Sequence, residues 1–391
     1  MDPRTVLDTL KSILSKNSER VSLHEPEFGG NEWAYVKECL DTGWVSSAGE
    51  FVNRFEQGLS EYVGVEYAVA AVNGTAALHL ALMVIAVRPD EEVLMPSLTF
   101  VATANAVKYC GAIPHFVDCD KRTLGVDPGK TDDYLRAETR ATSEGCFNKK
   151  TGRRIRALIA MHTFGHPVDL DPLAEVCGRH NLDLIEDAAE SLGSFYKGRH
   201  TGNWGRLAVL SFNGNKIATT GGGGAVLTHD ESLAALAKHL STTARIPHKW
   251  GFDHDSVAYN YRLPNINAAL GCAQLEQMPA FLRKKRALAE EYRKVFEQVE
   301  GVRFFSETDF AQSNYWLNVL LLDEENAALR DELLDLTNSN GIMTRPVWTP
   351  MHRLPMFRDC PSMDLSITEN LEKRIVNIPS SAFLGGSYIE T

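Results

Sequence analysis

A lysine between an apolar run and a tract of glycines is the strongest chemical signal in this sequence. Lys216 follows the strand-like run Leu207–Phe212 and precedes four consecutive glycines, Gly221–Gly224. Because four glycines are costly to order, they indicate a close approach of the backbone or a positive φ. In such a pocket a lysine can lose its proton and become an amine nucleophile that forms a Schiff base. The alternative is a surface charge, the usual role of an isolated lysine, whereas the order of lysine and glycines excludes a P-loop.

Two further segments carry groups that could bind charged ligands. At Gly74 and Thr75 a strand-like run ends and a helical pattern begins, and free N–H groups at a helix N-terminus bind phosphate. Thr75 could equally be a helix N-cap. Asp187 follows an apolar run at the predicted carboxyl edge of a strand, where ligands of open α/β sheets lie. If it is buried there and is not simply an N-cap, it needs a cationic partner such as a protonated ring nitrogen.

A polar turn with two candidate anion ligands follows later in the chain. Asn260 and Arg262 stand in the segment YNYRLPN, which precedes a helix of small residues. They are suited to an anion, but an ordinary turn followed by an N-cap explains the same residues. The spacing alone leaves both interpretations open.

The elements that must position these groups alternate between short apolar runs and helical patterns. This alternation predicts an α/β fold with a mostly parallel sheet, in a large domain over residues 1–260 whose first 50 residues form a helical arm. A smaller α+β domain is predicted over residues 261–391, and the polar segment 129–156 predicts an insertion or a long loop. The predicted strands are Ala68–Val72, Val93–Met95, Ile113–Val117, Leu158–Met161, Leu182–Ile185, Leu207–Phe212 and Ala225–Thr228.

Composition narrows the class of protein. The chain has 391 residues, with 40 Lys and Arg against 51 Asp and Glu and a net charge of −11. This balance argues against nucleic acid or an anionic membrane as the main partner. The 7 cysteines show no CxxC spacing and no metal-binding histidine pair beside them, so no metal is expected and free thiols in a reducing cytoplasm are predicted. No uninterrupted apolar run is long enough to span a bilayer.

Six ordered motifs together resemble the DegT/DnrJ/EryC1/StrS family of nucleotide-sugar aminotransferases, which depend on pyridoxal 5'-phosphate (PLP). The resemblance runs from about Pro26 to about Pro379 and implies the PLP-dependent transferase fold type I, with a large domain on a mixed, mostly parallel sheet. The motifs are NGTAALHLAL (73–82), PSLTFVATANAV (96–107), MHTFGHPVDLDPL (161–173), IEDAAESLGS (185–194), SFNGNKIATTGGGG (211–224) and YNYRLPNINAALG (259–271).

The same resemblance implies roles for single residues. Lys216 is implied to bind PLP covalently and to carry the proton between the cofactor and the sugar, and Asp187 to pair with the pyridine nitrogen. The other implied cofactor contacts are Gly74, Thr75 and Ser211 at the phosphate, Phe100 and Ala189 on the ring faces, Glu190 near the phenolic oxygen, Asn213 in the polar lining and Asn260 at the phosphate of the neighbouring subunit of a homodimer.

The resemblance also implies a reaction and a substrate. Relatives that deoxygenate sugars carry histidine at the position of Lys216, so lysine favours transamination from L-glutamate. The subgroup resembled serves bacillosamine and legionaminic acid routes, which implies amination at C4 of a UDP-linked 4-keto-6-deoxy-N-acetylhexosamine. The alternatives are amination at C3, a PLP-dependent dehydration, and a non-catalytic regulator that binds PLP or a sugar nucleotide. Candidate substrate contacts, each with an equally plausible structural role, are His162, Arg262, Trp348 and His352.

Overall fold

The computed structural model describes residues 1–14 and 20–389. The helices are α1 (Pro3–Leu14), α2 (Glu32–Thr42), α3 (Glu50–Val63), α4 (Gly74–Val84), α5 (Val101–Tyr109), α6 (Pro128–Glu138), α7 (Leu170–Arg179), α8 (Glu231–Ser241), α9 (Asn265–Phe296), α10 (Arg330–Ser339) and α11 (Ser366–Glu372). The strands are β1 (Tyr67–Ala71), β2 (Glu92–Pro96), β3 (Ile113–Val117), β4 (Thr139–Thr142), β5 (Gly145–Asn148), β6 (Arg154–Met161), β7 (Asp183–Asp187), β8 (Phe195–Tyr196), β9 (Arg199–His200), β10 (Leu207–Ser211), β11 (Gly224–Thr228), β12 (Val302–Phe304), β13 (Ala311–Gln312), β14 (Asn318–Leu322), β15 (Arg345–Pro346) and β16 (Ile375–Ile378).

A nine-stranded sheet forms the centre of the described chain. Its strand order is β1-β11-β10-β7-β6-β2-β3, and the β4–β5 hairpin joins it at β6. The strands from β10 to β3 pair in parallel, while β11 runs antiparallel to both of its neighbours. Every residue of β2 and β11 is buried, as expected for strands covered on both faces. The predicted α/β fold with a mixed, mostly parallel sheet is confirmed.

The carboxyl ends of three neighbouring strands meet at one edge of this sheet. Asp187 is in register with Met161 on β6 and with Val209 on β10. Ser211, at the end of β10, faces Gly224, which is also the partner of the last residue of β1. Chain segments that are distant in sequence therefore converge at this edge, where open α/β sheets bind their ligands.

A second sheet lies in the C-terminal part, with the strand order β12-β14-β16-β15. Apolar residues of α1 pack with those of α9 and of this sheet, among them Val6, Leu10, Leu288 and Leu320. The N-terminal half of α9 packs instead in the cluster that contains Phe55 of α3. The helix thus joins the two parts, and the domain limit at residue 260 stays a prediction.

The segment 129–156 forms most of α6, the strands β4 and β5 and the start of β6, so the expectation of a long loop was wrong and the insertion stays a prediction. Asp127 caps α6 by accepting a hydrogen bond from the N–H of Lys130, and the β4–β5 hairpin extends the sheet. The fully buried Glu92 accepts hydrogen bonds from Asn148 and Thr151 of this segment. Two polar residues of the segment therefore have a buried carboxylate as their partner, and hydropathy alone does not reveal such a pairing.

None of the helices in the described part combines the length and the apolar character that crossing a membrane requires.

Candidate active site

A cavity of about 310 Å³ lies at the edge where β6, β7 and β10 end. It brings together most of the residues predicted from the sequence. Those that line it are Gly74, Thr75, Phe100, Ala189, Asp187, Glu190, Ser211, Asn213, Lys216 and Trp348. The convergence arises from the sheet topology, because parallel strands place their carboxyl ends side by side.

Asp187 is a buried polar residue of the cavity. It ends β7 and is 3% exposed. Its Oδ2 accepts a hydrogen bond of 2.8 Å from Thr103 Oγ1, and its Oδ1 one of 3.3 Å from the N–H of Ala189. Burial raises the pKa of this carboxyl, whereas the two hydrogen bonds lower it. Both of these donors are neutral, so the carboxylate is suited to a cationic ligand group.

The N-terminus of α4 forms another wall of the cavity. Asn73 caps the helix, because its side chain accepts a 2.8 Å hydrogen bond from the N–H of Ala76. The helix cap is therefore Asn73 and not Thr75, and the first amides of α4, at Gly74 and Thr75, have no intrahelical acceptor. A Cβ at position 74 would lie 2.9 Å from Cβ of Ser211, so only glycine allows this close approach. Two helix amides and a hydroxyl group thus meet in a place suited to phosphate.

Lys216 enters the cavity beside a buried carboxyl group. Its Nζ lies 3.2 Å from Oε1 of Glu190, whose Oε2 accepts a 2.8 Å hydrogen bond from the N–H of Phe164. Burial raises the pKa of Glu190 to about 7, although the charge of Lys216 lowers it. The pair therefore joins an amine to a carboxyl group that changes its protonation near neutral pH.

An aromatic wall closes the other side of the cavity. Phe100 precedes α5 and is 50% exposed. Trp348 lies between Phe100, at a ring-centroid distance of 6.3 Å, and Phe164, at 5.0 Å. A large exposed ring at a cavity mouth is suited to stacking on a flat ligand.

Four predicted residues do not line this cavity. His162 is fully buried, with Nε2 3.0 Å from Glu186 Oε2 and Nδ1 accepting a hydrogen bond from the N–H of Val168. His352 lies 2.8 Å from the hydroxyl of Ser97. Arg262 forms a 2.7 Å ion pair with Glu56, and Asn260 is exposed between two stacked tyrosines.

His162 is expected to act on stability and not on substrate binding. We predict that His162→Ala lowers the free energy of unfolding by about 3 kcal/mol, because it leaves the buried Glu186 carboxylate with one partner fewer. The KM for the sugar nucleotide should stay unchanged in the folded variant. Urea unfolding and steady-state kinetics test this, and an unaltered stability with a raised KM would place His162 in the substrate site instead.

The raised pKa of Glu190 predicts a pH-dependent stability. The unfolded chain loses this proton near pH 4.5 and the folded chain near pH 7, so stability falls as pH rises between these values and then levels off. Glu190→Gln should remove up to about 3 kcal/mol of this decline in the cofactor-free protein. Denaturant titrations from pH 5 to pH 8 measure it. Glu325→Gln, at an exposed position, is the control and should reproduce the native curve.

Several residues of the cavity were not singled out from the sequence. Thr103 lies one helical turn after Phe100 in a motif that was recognised, so its position signalled a shared face. Trp316 stands in an apolar, strand-like run, and no local pattern marks it as a contact of Lys216. The others are Asn73, Leu78, Ala102, Met161 and Asn215.

The fold and the cavity are those of a PLP-dependent sugar aminotransferase, and comparison with known proteins agrees. The chain belongs to the DegT/DnrJ/EryC1/StrS aminotransferase family, whose sequence profile matches residues 26–390. It is 38% identical to a GDP-perosamine synthase of Caulobacter vibrioides, over 93% of this chain and 94% of the relative. It is 36% identical to the putative pyridoxal phosphate-dependent aminotransferase EpsN of Bacillus subtilis, over 93% of this chain and 92% of the relative.

Solved structures show the same fold. The aminotransferase TlmJ of Streptoalloteichus hindustanus superposes with a TM-score of 0.84 at 28% identity, covering 95% of this chain and 96% of that chain. DesI, determined in the presence of its TDP-sugar product, superposes with a TM-score of 0.82 at 28% identity, covering 94% and 91%. The motifs predicted membership of a family of PLP-dependent aminotransferases, and this prediction is confirmed.

The residues present fit PLP. A phosphate needs donors, and α4 offers free amides beside a serine hydroxyl at the close approach of Gly74 to Ser211. A protonated ring nitrogen needs an anion, and Asp187 is a buried carboxylate with two neutral donors. An aldehyde needs an amine, and Lys216 supplies one in the same cavity.

Proposed function

We propose that the protein transfers the amino group of L-glutamate to C4 of a nucleotide-linked 4-keto-6-deoxy sugar. The observation that carries the proposal is the meeting of Lys216, Asp187 and the first amides of α4 in one cavity. The names of the relatives support C4, since GDP-perosamine is a 4-amino sugar. They also favour GDP as the nucleotide. The UDP-linked N-acetylhexosamine implied by the motif resemblance is the second candidate and has no support among these relatives.

In this proposal the two ends of the cavity hold the cofactor in one orientation. The amides of Gly74 and Thr75 and the hydroxyl of Ser211 bind the phosphate, and Asp187 keeps a proton on the pyridine nitrogen. Ala189 and Phe100 lie against the ring, and Asn213 completes the polar lining. PLP supplies an electron sink beside the carbon atom whose C–H bond breaks.

Lys216 is the group that moves the proton in this proposal. When its Nζ is free, it would move the proton from the reacting carbon of glutamate to the cofactor carbon and, in the second half of the reaction, from that cofactor carbon to C4 of the sugar. Glu190, 3.2 Å away, exchanges a proton with Nζ. Its pKa of about 7 keeps both of its protonation states populated near neutral pH, as general acid–base work requires. Trp348 is the proposed sugar contact.

We further propose a homodimer in which Asn260 of one subunit reaches the cofactor phosphate of the other. Its exposure supports this role. The homodimer, though not the role of the uncharged Asn260, has a second support: among the described residues that line the cavity, Lys216 is the only basic one. A cofactor phosphate and a sugar diphosphate need more positive charge than one lysine supplies. A cytoplasmic location belongs to the same proposal, because the cysteines are free and suit a reducing compartment.

Product analysis with a panel of keto sugars tests the proposal. The protein, loaded with PLP, is incubated with L-glutamate and the GDP-, UDP- or TDP-linked 4-keto-6-deoxy sugar, and the product is identified by mass spectrometry and NMR. We expect an amine at C4, formed fastest from the GDP-linked sugar. An amine at C3, a deoxygenated product, or no amine exchange with glutamate would each reject the proposed reaction. Faster turnover of the UDP- or TDP-linked sugar would reject only the choice of nucleotide.

A further inference from the structure

A tryptophan from the C-terminal part of the chain lies against the active-site lysine. Trp316 stands in the turn Ser313–Trp316, which leads from β13 to β14. The Lys216 Nζ lies 3.9 Å from the centroid of its ring. The indole N–H donates a 2.8 Å hydrogen bond to the backbone carbonyl of Asn215. One side chain thus contacts both the reactive amine and the residue that precedes it.

The turn that carries Trp316 is held rigidly in place. The Asn314 side-chain amide donates hydrogen bonds of 2.9 Å to the carbonyls of Glu190 and Leu192, and its oxygen accepts one of 2.8 Å from the N–H of Trp316. Tyr315 has φ 47°, a left-handed conformation that a non-glycine residue adopts only when its surroundings enforce it. The turn therefore joins the loop of Glu190 to the ring that contacts Lys216.

A buried lysine and a glycine fix the turn further. The fully buried Lys285 of α9 donates a 3.2 Å hydrogen bond to the carbonyl of Trp316. On the other side, Gly165 has φ 94°, and a Cβ at this position would overlap Oδ1 of Asn314. The position of Trp316 is therefore fixed from both sides of the turn.

We propose that Trp316 is a positioning residue for Lys216 in the amino-transfer reaction. The proposal rests on the proposed function, in which the free amine of Lys216 moves the proton. The ring face attracts the ammonium form of the lysine and limits the rotation of its long side chain. The hydrogen bond to Asn215 fixes the backbone from which that side chain extends. Trp316 thereby keeps Nζ beside Glu190 and directed into the cavity.

The first test uses the cofactor-free protein and does not depend on activity. Trace acetylation with acetic anhydride, which modifies neutral amines, is quantified at Lys216 by mass spectrometry relative to the exposed Lys121. We expect Trp316→Leu to increase the relative acetylation roughly 2- to 30-fold, because the amine loses its cation–π contact with the ring. Trp204→Leu is the matched control, since Trp204 contacts Arg199 outside the cavity. It should leave the ratio unchanged.

The second test follows proton transfer in the loaded enzyme. The single-turnover rate with L-glutamate is compared with that for glutamate deuterated at its reacting carbon. We expect Trp316→Leu to slow this half reaction roughly 10- to 100-fold, with a larger isotope effect and an unchanged half-saturating glutamate concentration. Trp316→Phe keeps a ring but loses the N–H, so its rate should lie between those of the native protein and the leucine variant.

The outcomes separate this proposal from the proposed function. If the native protein shows no half reaction, the proposed function fails, while the acetylation ratio still reports the contact between Trp316 and Lys216. A folded Trp316→Leu variant with native acetylation, rate and isotope effect would overturn the positioning role, as would a change confined to the half-saturating concentration. If the leucine variant does not fold, Trp316→Phe decides, and a native rate and isotope effect in that variant would overturn the proposal.

Discussion

Lys216→Ala is expected to lower the rate of amino transfer by roughly 10³- to 10⁴-fold or more, because it removes both the amine that binds the cofactor and the group that moves the proton. The side chain is the only amine among the residues that line the cavity in the described chain. Borohydride reduction of the PLP-loaded native protein should attach the cofactor to the peptide that contains Lys216. The same treatment should leave the variant unlabelled, and peptide mass spectrometry with initial-rate assays measures both effects.

Lys216→Arg is the matched variant for this prediction. It keeps a positive charge beside Glu190 and under the ring of Trp316, but a guanidinium does not act as an amine nucleophile. We expect it to be as inactive as Lys216→Ala while retaining more of the native stability. Borohydride labelling at another lysine, or substantial activity in either variant, would contradict the assignment of the reactive amine.

Asp187→Asn is the second substitution with a large expected effect. The amide keeps the shape of the side chain but loses the negative charge that would hold a proton on the pyridine nitrogen, so the electron sink weakens. We expect kcat/KM to fall roughly 10²- to 10⁴-fold, with the variant still folded and still able to bind PLP. Steady-state kinetics and the visible absorption spectrum of the loaded protein measure the two parts of this prediction.

The preceding residue offers a matched control for Asp187. Glu186 lies on the same strand but points to the opposite face of the sheet, where its carboxylate accepts hydrogen bonds from the N–H groups of Gly202, Trp204 and Gly205. Glu186→Gln should lower stability and leave kcat/KM of the folded enzyme nearly native. If kcat/KM fell equally in both variants, the loss would come from a disturbed fold and not from a changed contact between Asp187 and the cofactor.

The meeting of Gly74 and Asp187 in one cavity was predictable because both residues lie in short, local patterns. Near Gly74 a strand ends and a helix begins, and an apolar run precedes Asp187 at the end of β7. Such patterns depend on the alternation of strands and helices, which hydropathy records directly. The alternation also places these chain segments at one edge of the sheet once the strands are parallel.

The partners of individual polar residues were not predictable in this way. His162 stands in a recognised motif, yet the structure pairs it with Glu186 in the core. Trp316 stands in an apolar run and is buried in the core, but nothing in that run indicates that its ring contacts Lys216, 100 residues earlier in the sequence. The burial of a residue and its hydrogen-bond partners depend on contacts between residues that are distant in sequence. A hydropathy pattern does not contain information about such contacts.

By itself, the sequence determined the α/β class and the family, and it predicted which residues supply the amine, the carboxylate and the phosphate-binding turn. These features depend on local backbone geometry and on residue chemistry, and both follow directly from the order of the amino acids. Only the tertiary structure decided that Asn73 caps α4 and that Glu190 shares its hydrogen bonds with Lys216 and Phe164. It also decided that Trp316 covers the lysine, because packing in three dimensions selects which of many compatible side chains come into contact.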